Sequence, residues 1–228
     1  MNHPASQTRY DIYSAIHKAL RHLMGETLYQ VGRTDIDDTA EFGAALEQVR
    51  ELLHVCSKHV SHENDFVHAA LERVEPGSSV RIATEHIDHL RDIDALATAL
   101  TTVEQTAPAR RAVGWHVFYR QLSGFVAHNF EHMEYEEREH NAVLQRHLGD
   151  AEIGAVEQAL IASIAPLDLM VILHWMLPAL NHAERSAMLA GMRASAPGEV
   201  FASVLALARA QLSLSDWHKL EDSLALAA

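Results

Sequence analysis

Apolar residues recur at helical spacing along four long segments in the first part of the chain. Spacings of three and four residues place them on one stripe of an α-helix, so each segment predicts an amphipathic helix. The predicted helices run from Thr8 to Val31, Asp38 to Val74, Ser79 to Gln105 and Ala109 to Leu148. Short links rich in Gly, Pro and polar residues separate them. Four amphipathic helices with short links predict an all-α fold, an up-down-up-down four-helix bundle.

The composition changes in residues 150–228, where Leu, Ala and Met dominate and charged residues are fewer. Three prolines divide this part into shorter helical pieces: Pro166, Pro178 and Pro197. Asn181 followed by Glu184 indicates a helix start, because the amide can cap the helix and the carboxylate can reach back. We therefore predict a bundle over residues 1–149 and a helical extension over residues 150–228. We expect the extension to pack on the bundle or on a second copy, as a homodimer.

The chain is acidic, with 31 Asp and Glu against 18 Lys and Arg among 228 residues. That balance argues against binding to a nucleic-acid backbone, which requires a basic stripe. The single cysteine, Cys56, excludes an intramolecular disulfide and fits a reducing compartment. The first ten residues lack the apolar core of a signal peptide, and the longest apolar stretch, Leu167 to Leu180, is too short to span a bilayer. We expect a cytoplasmic protein that binds neither nucleic acid nor membranes.

The chain contains 17 histidines, and 14 of them precede residue 150. Placing residues at about 100° per position on a helical wheel separates inward from outward side chains. The inward set contains six histidines and glutamates, each within about 80° of the centre of an apolar stripe. These six are His17, His59, Glu63, His86, His132 and Glu136. They include two His-x-x-x-Glu pairs, whose spacing puts both groups on one helix face.

This inward set favours a metal centre. An ionised glutamate in a core costs several kcal/mol unless it has a partner, and no Lys or Arg lies on the inward stripe near Glu63 or Glu136. Imidazole with carboxylate suits iron, manganese or zinc, whereas the absence of cysteine ligands argues against structural zinc. Six ligands exceed the need of one ion once water is counted. The sequence therefore predicts two ions bridged by the two carboxylates.

These residues resemble the hemerythrin-like (HHE) family over about residues 8 to 148. The matching strings are Ile16-His17-Lys18-Ala19-Leu20, His59-Val60-Ser61-His62-Glu63-Asn64, Glu85-His86 and Glu131-His132-Met133-Glu134-Tyr135-Glu136-Glu137. The resemblance implies a four-helix bundle with an oxo- or hydroxo-bridged non-haem centre of two iron ions. Manganese and zinc are the alternative metals.

The pattern departs from that of the oxygen-carrying hemerythrins. The residue four after His86 is Leu90 rather than histidine, and the segment after His132 offers Glu136 rather than an aspartate one position later. The chain looks like the subgroup with H, HxxxE, H and HxxxE, which carries fewer histidine ligands. Fewer ligands leave positions for water or an added ligand, so redox chemistry is favoured over reversible O2 carriage.

Three further histidines lie near the inward set. His89, one turn from His86, is the candidate for a fifth imidazole ligand. His128 and His140 are second-tier ligand candidates, and we favour a position at the boundary of the core for both.

The sequence thus predicts a diiron protein that reacts with or senses O2, NO or peroxide, without identifying catalytic residues. A first alternative is a diiron enzyme that acts as a catalase, a peroxidase or a ferroxidase. A second alternative is a helical interaction module that needs no metal. The first two both require only an open position on a reduced dimetal centre, and the sequence leaves the choice open.

Overall fold

The computed structural model describes residues 9–226, and every regular element in that range is helical. The chain forms two compact units. The first contains residues 9–14 and 24–163, and the second contains residues 15–23 and 164–226. The all-α class predicted from the sequence is confirmed.

Seven helices lie within residues 9–163: the first six match the four segments predicted from the sequence, and the seventh lies in the predicted extension. They are α1 (Ser14–Arg33), α2 (Thr39–His62), α3 (Ala69–Val74), α4 (Val80–Gln105), α5 (Pro108–Tyr135), α6 (Asn141–His147) and α7 (Asp150–Ser163). Two π-helical segments, π1 (Glu63–His68) and π2 (Glu136–His140), join α2 to α3 and α5 to α6. Each of these pairs is therefore one long rod interrupted by a π-helical turn. The sequence pattern did not predict the two π segments.

Local signals in the sequence explain where the helices begin. The Asp38 side chain accepts hydrogen bonds from two backbone N–H groups in the first turn of α2, which is the role of a helix cap. Pro108 occupies the first turn of α5, where its missing N–H costs nothing. Before α4, Gly77 adopts a φ of +91°, and the Glu72 carboxylate accepts hydrogen bonds from the N–H groups of Gly77 and Ser79. These tight links make neighbouring helices antiparallel.

The core of the first unit fixes the helices against one another. Trp115 Nε1 on α5 donates to the carbonyl of Val31 at 3.0 Å. At one end of the unit lies a buried cluster of Ile12, Tyr13, Val67, Ala70, Leu71, Val143, Leu144, Leu148 and Ile153. Ile153 belongs to α7, and Glu157 of α7 accepts a hydrogen bond from Tyr10. This compact unit therefore continues to Ser163, and the domain boundary at residue 149 stays a prediction.

The second unit has its own apolar core. Its helices are α8 (Pro166–Ala179), α9 (His182–Ser195), α10 (Gly198–Gln211) and α11 (Leu214–Leu224). Their buried residues are Leu173, Leu177, Leu189, Val204, Ala208, Trp217, Leu220 and Leu224. The predicted cap is confirmed: Asn181 accepts from the N–H of Glu184, whose carboxylate accepts from the N–H of Asn181. Arg185 is buried and donates to the carbonyls of Leu177 and Leu180, so it secures the end of α8.

The apolar composition of α7 and α8 raises the question of membrane insertion. Within residues 9–226, no single helix has both the length and the apolar character needed to cross a bilayer. Counted together across the break between them, α7 and α8 meet the criterion of length and composition.

Candidate metal centre

Five of the six ligands predicted from the sequence converge inside the first unit. His59 lies on α2, His86 on α4 and His132 on α5. Glu63 and Glu136 begin π1 and π2. Glu63, His86, His132 and Glu136 are all buried, and one ligand atom of each lies within 4.8 Å of the others. His59 offers an imidazole nitrogen within the same distance of both carboxylates.

Glu63 lies between two histidines on different helices. Its Oε1 atom is 3.2 Å from His59 Nε2, and its Oε2 atom is 3.3 Å from His86 Nε2. Glu136 Oε1 is 3.3 Å from His132 Nε2 and 3.8 Å from His86 Nε2. A carboxylate whose two oxygens face different histidines has the arrangement of a ligand that bridges two ions. The arrangement therefore has two halves, one at His59 and one at His86 and His132.

The orientation of His86 and His132 is fixed from outside the centre. His86 Nδ1 is 2.8 Å from Asn64 Oδ1, and His132 Nδ1 is 2.9 Å from Glu85 Oε2. Both partner oxygens accept hydrogen bonds, so each Nδ1 atom donates and each Nε2 atom presents a lone pair. The two Nε2 atoms are 3.1 Å apart. Nitrogen ligands at about 2.1 Å from one metal ion lie about 3 Å from each other. The pair therefore fits a cation, which would remove the repulsion between the lone pairs.

Glu85 is itself held as an anion. Burial raises the pKa of Glu85, but hydrogen bonds from Arg81 and His132 more than offset this effect and leave the pKa below its ordinary value. Arg81 Nε lies 2.9 Å from Glu85 Oε1, and its guanidinium stacks over the ring of Tyr135 at 3.9 Å. Outer carboxylates of this kind orient a histidine ligand and raise its basicity.

The two buried carboxylates dominate the electrostatics of the centre. Burial lowers the pKa of His132, but the hydrogen bond to Glu136 and the charges of Glu136 and Glu63 raise it by more. Burial and the same two charges raise the pKa of Tyr13 well above its ordinary value. Two carboxylates at this depth require positive charge nearby. The negative charge of the two carboxylates therefore favours the binding of protons or metal ions at the centre. The histidine lone pairs favour metal ions over protons.

Two further buried histidines lie at the centre: His68, which the sequence did not single out, and His140, which was only a second-tier candidate. His68 ends π1 and His140 ends π2, and their ligand atoms lie within 4.8 Å of each other and of Glu136. Burial lowers the pKa of each imidazole to about 4, so both are neutral at pH 7. The Tyr13 hydroxyl is 3.0 Å from His140 Nδ1. His140 is therefore buried at the centre, whereas its sequence position favoured the boundary of the core.

A helical wheel with one uniform period does not place these two histidines on the inner face. It assumes 3.6 residues per turn, whereas a π segment widens the turn and shifts the phase of every residue after it. The signal available in the sequence was a repeat: each His-x-x-x-Glu pair is followed by a histidine, five residues after Glu63 and four after Glu136.

His89, His128 and His17 lie in three different environments. The His89 ring packs edge-on against His132, with centroids 4.4 Å apart, and lies next to Phe125. Among residues 9–226, His89 is not part of any cluster of three or more metal-ligating side chains. His128 is exposed. His17 is fully buried on α1, and its role as a ligand stays a prediction.

The comparison with protein families agrees with this geometry. The model of the hemerythrin HHE cation-binding domain matches residues 8–144, more than half of the chain. The chain belongs to this family. No curated protein and no solved structure matches it. The family match ends within α6, so α7 to α11 lie outside it. A cation-binding domain and a buried cluster of His and Glu together support a metal site in the first unit.

Proposed function

We propose that this hemerythrin HHE domain binds two transition-metal ions and reacts with or senses O2, NO or peroxide. Iron is the metal we favour, with manganese or zinc as alternatives. The observation that carries the proposal is the position of Glu63, whose two oxygens face histidines on different helices at 3.2 and 3.3 Å. One bridging carboxylate between two imidazole groups suits a pair of ions better than a single ion.

The proposed ligands are the six residues predicted from the sequence. Five of them meet in the first unit as described above, and we add His17 because it is a buried histidine at the predicted position on α1. Imidazole nitrogen with carboxylate oxygen is a ligand set that suits iron, manganese and zinc. When bound there, iron would supply a one-electron redox couple and a coordination position for a small molecule.

The surroundings of His86 support an accessible coordination position. Leu90, four residues later, is 39% exposed and carries no ligand atom, so one imidazole of the oxygen-carrying pattern is missing. His89 and Phe125 pack beside His132 and form an apolar and aromatic wall. A wall of this kind restricts water and tunes the redox potential of a metal centre. The domain would thus hold a small ligand beside these aromatic rings.

The reactivity can be tested by loading the protein with Fe2+ without oxygen and mixing it with O2 or peroxide in a stopped-flow spectrometer. We expect rapid oxidation in air, no long-lived reversible spectrum, and a reaction of the oxidised protein with peroxide. His132→Ala should abolish these changes because it removes one imidazole and its link to Glu85. His128→Ala, an exposed histidine on the same helix, serves as the matched control and should leave them intact.

Other outcomes would redirect the proposal. A slowly decaying, reversible spectrum with O2 would assign the protein to the carriers, and His89 would be the first residue to re-examine. Sustained turnover of peroxide or of added Fe2+ would favour the diiron enzyme over the sensor. Failure to take up metal would contradict the proposal and leave the interaction module.

A further inference from the structure

We propose that His68, Glu136 and His140 form a third metal subsite, which binds one more divalent first-row ion beside the two ions proposed above. The inference rests on the proposed function in one respect, because Glu136 would serve both the pair and the third ion. The pattern of one histidine or one His-x-x-x-Glu per helix does not include His68 or His140.

The two π segments create this subsite. Each begins with a proposed carboxylate ligand and ends with a histidine, Glu63 to His68 in π1 and Glu136 to His140 in π2. A π segment takes more residues per turn than an α-helix. A residue four or five positions after the glutamate therefore returns to the inner face. Single π turns of this kind occur frequently at functional sites.

The burial of the two imidazoles is the independent observation. His68 is 6% exposed and His140 is 1% exposed. Within residues 9–226, the Nε2 atoms of both rings lack a hydrogen bond of good geometry, and the Ser78 backbone lies close to the His140 ring. A buried polar atom without a well-formed hydrogen bond is destabilising, so two of them at one place call for an explanation. A metal ion bound by both nitrogens would satisfy them together.

The donor set indicates the class of ion. Two imidazoles and one carboxylate, with the remaining positions open, suit Fe2+ and also accept Zn2+ or Mn2+. The Tyr13 hydroxyl contacts His140 Nδ1 at 3.0 Å. If Nδ1 donates to the tyrosine oxygen, the Nε2 lone pair is free for the ion, as in other histidine ligands held by an outer acceptor. Tyr13 is therefore a positioning residue for His140.

Charge sets the order of binding. The third ion would share Glu136 with the pair and would lie near two other cations in a medium that screens poorly. We therefore expect it to bind after the pair, more weakly, and to exchange more readily. Such a site suits a metal ion on its way into or out of the dinuclear centre.

The test is a Zn2+ titration of the full-length protein by equilibrium dialysis, with elemental analysis of both compartments. Wild-type protein should reach three ions per chain at saturation, with the third bound most weakly. His68→Gln and His140→Gln should each reach two, and His128→Gln, on the exposed surface, should still reach three. Tyr13→Phe should retain the third ion with a lower affinity, since it removes only the hydroxyl contact.

The outcomes distinguish this inference from the proposed function. Saturation at two ions in wild type and in both glutamine variants would overturn the third subsite and leave the pair. Two ions in wild type but one in the variants would overturn it by assigning His68 and His140 to the pair. Fewer than two ions in wild type would contradict the proposed function itself. Thermal melts without metal would show that each variant is folded.

Discussion

Glu63→Gln is the substitution that tests the bridging role most sharply. The Glu63 side chain is buried, and its two oxygens face His59 and His86. Glutamine has nearly the same shape but is neutral and offers one ligand oxygen, since its amide nitrogen is a donor. If Glu63 bridges two ions, the substitution weakens both of them. If it serves only as a hydrogen-bond acceptor for histidines, metal binding should persist.

The magnitude follows from binding linkage. An ion that binds only the folded state adds about 4 kcal/mol at a thousandfold excess over its Kd, so two ions add about 8 kcal/mol. For a chain of this size, 1 kcal/mol corresponds to about 2–4 °C in Tm, so metal should raise the wild-type Tm by about 16–32 °C. Outer residues that orient ligands already contribute 10–100-fold to metal affinity. A 100-fold loss at each ion would reduce the metal-dependent stabilisation of Glu63→Gln to about 2.8 kcal/mol.

The assay compares melting with a chelator and with excess Fe2+ in the absence of oxygen, within each variant. Taking the difference within a variant removes the effect of the substitution on the metal-free protein. His128→Ala should show the full wild-type increase. An unchanged increase in Glu63→Gln would refute the bridging role, and equal losses in both variants would show that the effect is not specific to the centre.

Three further predictions concern the surroundings of the centre. Glu85→Gln should lower metal affinity about 10–100-fold in competition with a chelator, because it weakens the acceptor that orients His132; an unchanged affinity would contradict that role. Ile153→Ala should cost about 2–4 kcal/mol in urea unfolding, because this side chain of α7 is fully buried, whereas Ile161→Ala, on an exposed part of the same helix, should cost almost nothing. The metal-free protein should lose stability as pH falls from 6.5 towards 4, because burial lowers the folded-state pKa of His89 to about 4, so the unfolded chain takes up protons first. His89→Gln should reduce that pH dependence in unfolding measurements, and an unchanged slope would exclude His89 as a contributor.

The sequence predicted most of the fold because its signals are local. Apolar periodicity located the helix ends to within about two residues, except that α1 begins at Ser14 rather than at the predicted Thr8. The caps at Asp38 and Asn181 act through side-chain to backbone bonds within one turn. The extent of the first compact unit is not a local property of the sequence. α7 has an apolar surface on more than one face, and its place beside Tyr10 and π1 depends on long-range contacts.

The wheel placed inward the candidate ligands in those parts of the helices that keep 3.6 residues per turn. Glu63 and Glu136 lie at the start of the π segments, so their predicted inward position is correct. His68 and His140 follow the change of phase, and no rule based on 3.6 residues per turn finds them. Asn64 and Glu85 were also missed as outer partners, because they lie on polar faces next to the ligands and reach inward through one hydrogen bond each.

The central claim is that two metal ions share the buried carboxylates of this domain. X-ray absorption spectroscopy at the iron edge, on protein loaded with two equivalents of Fe2+, tests it most directly. The account predicts nitrogen and oxygen ligands and a second iron about 3–4 Å from the first, as in other two-metal sites. A spectrum with the same light ligands and no iron neighbour would contradict the dinuclear centre.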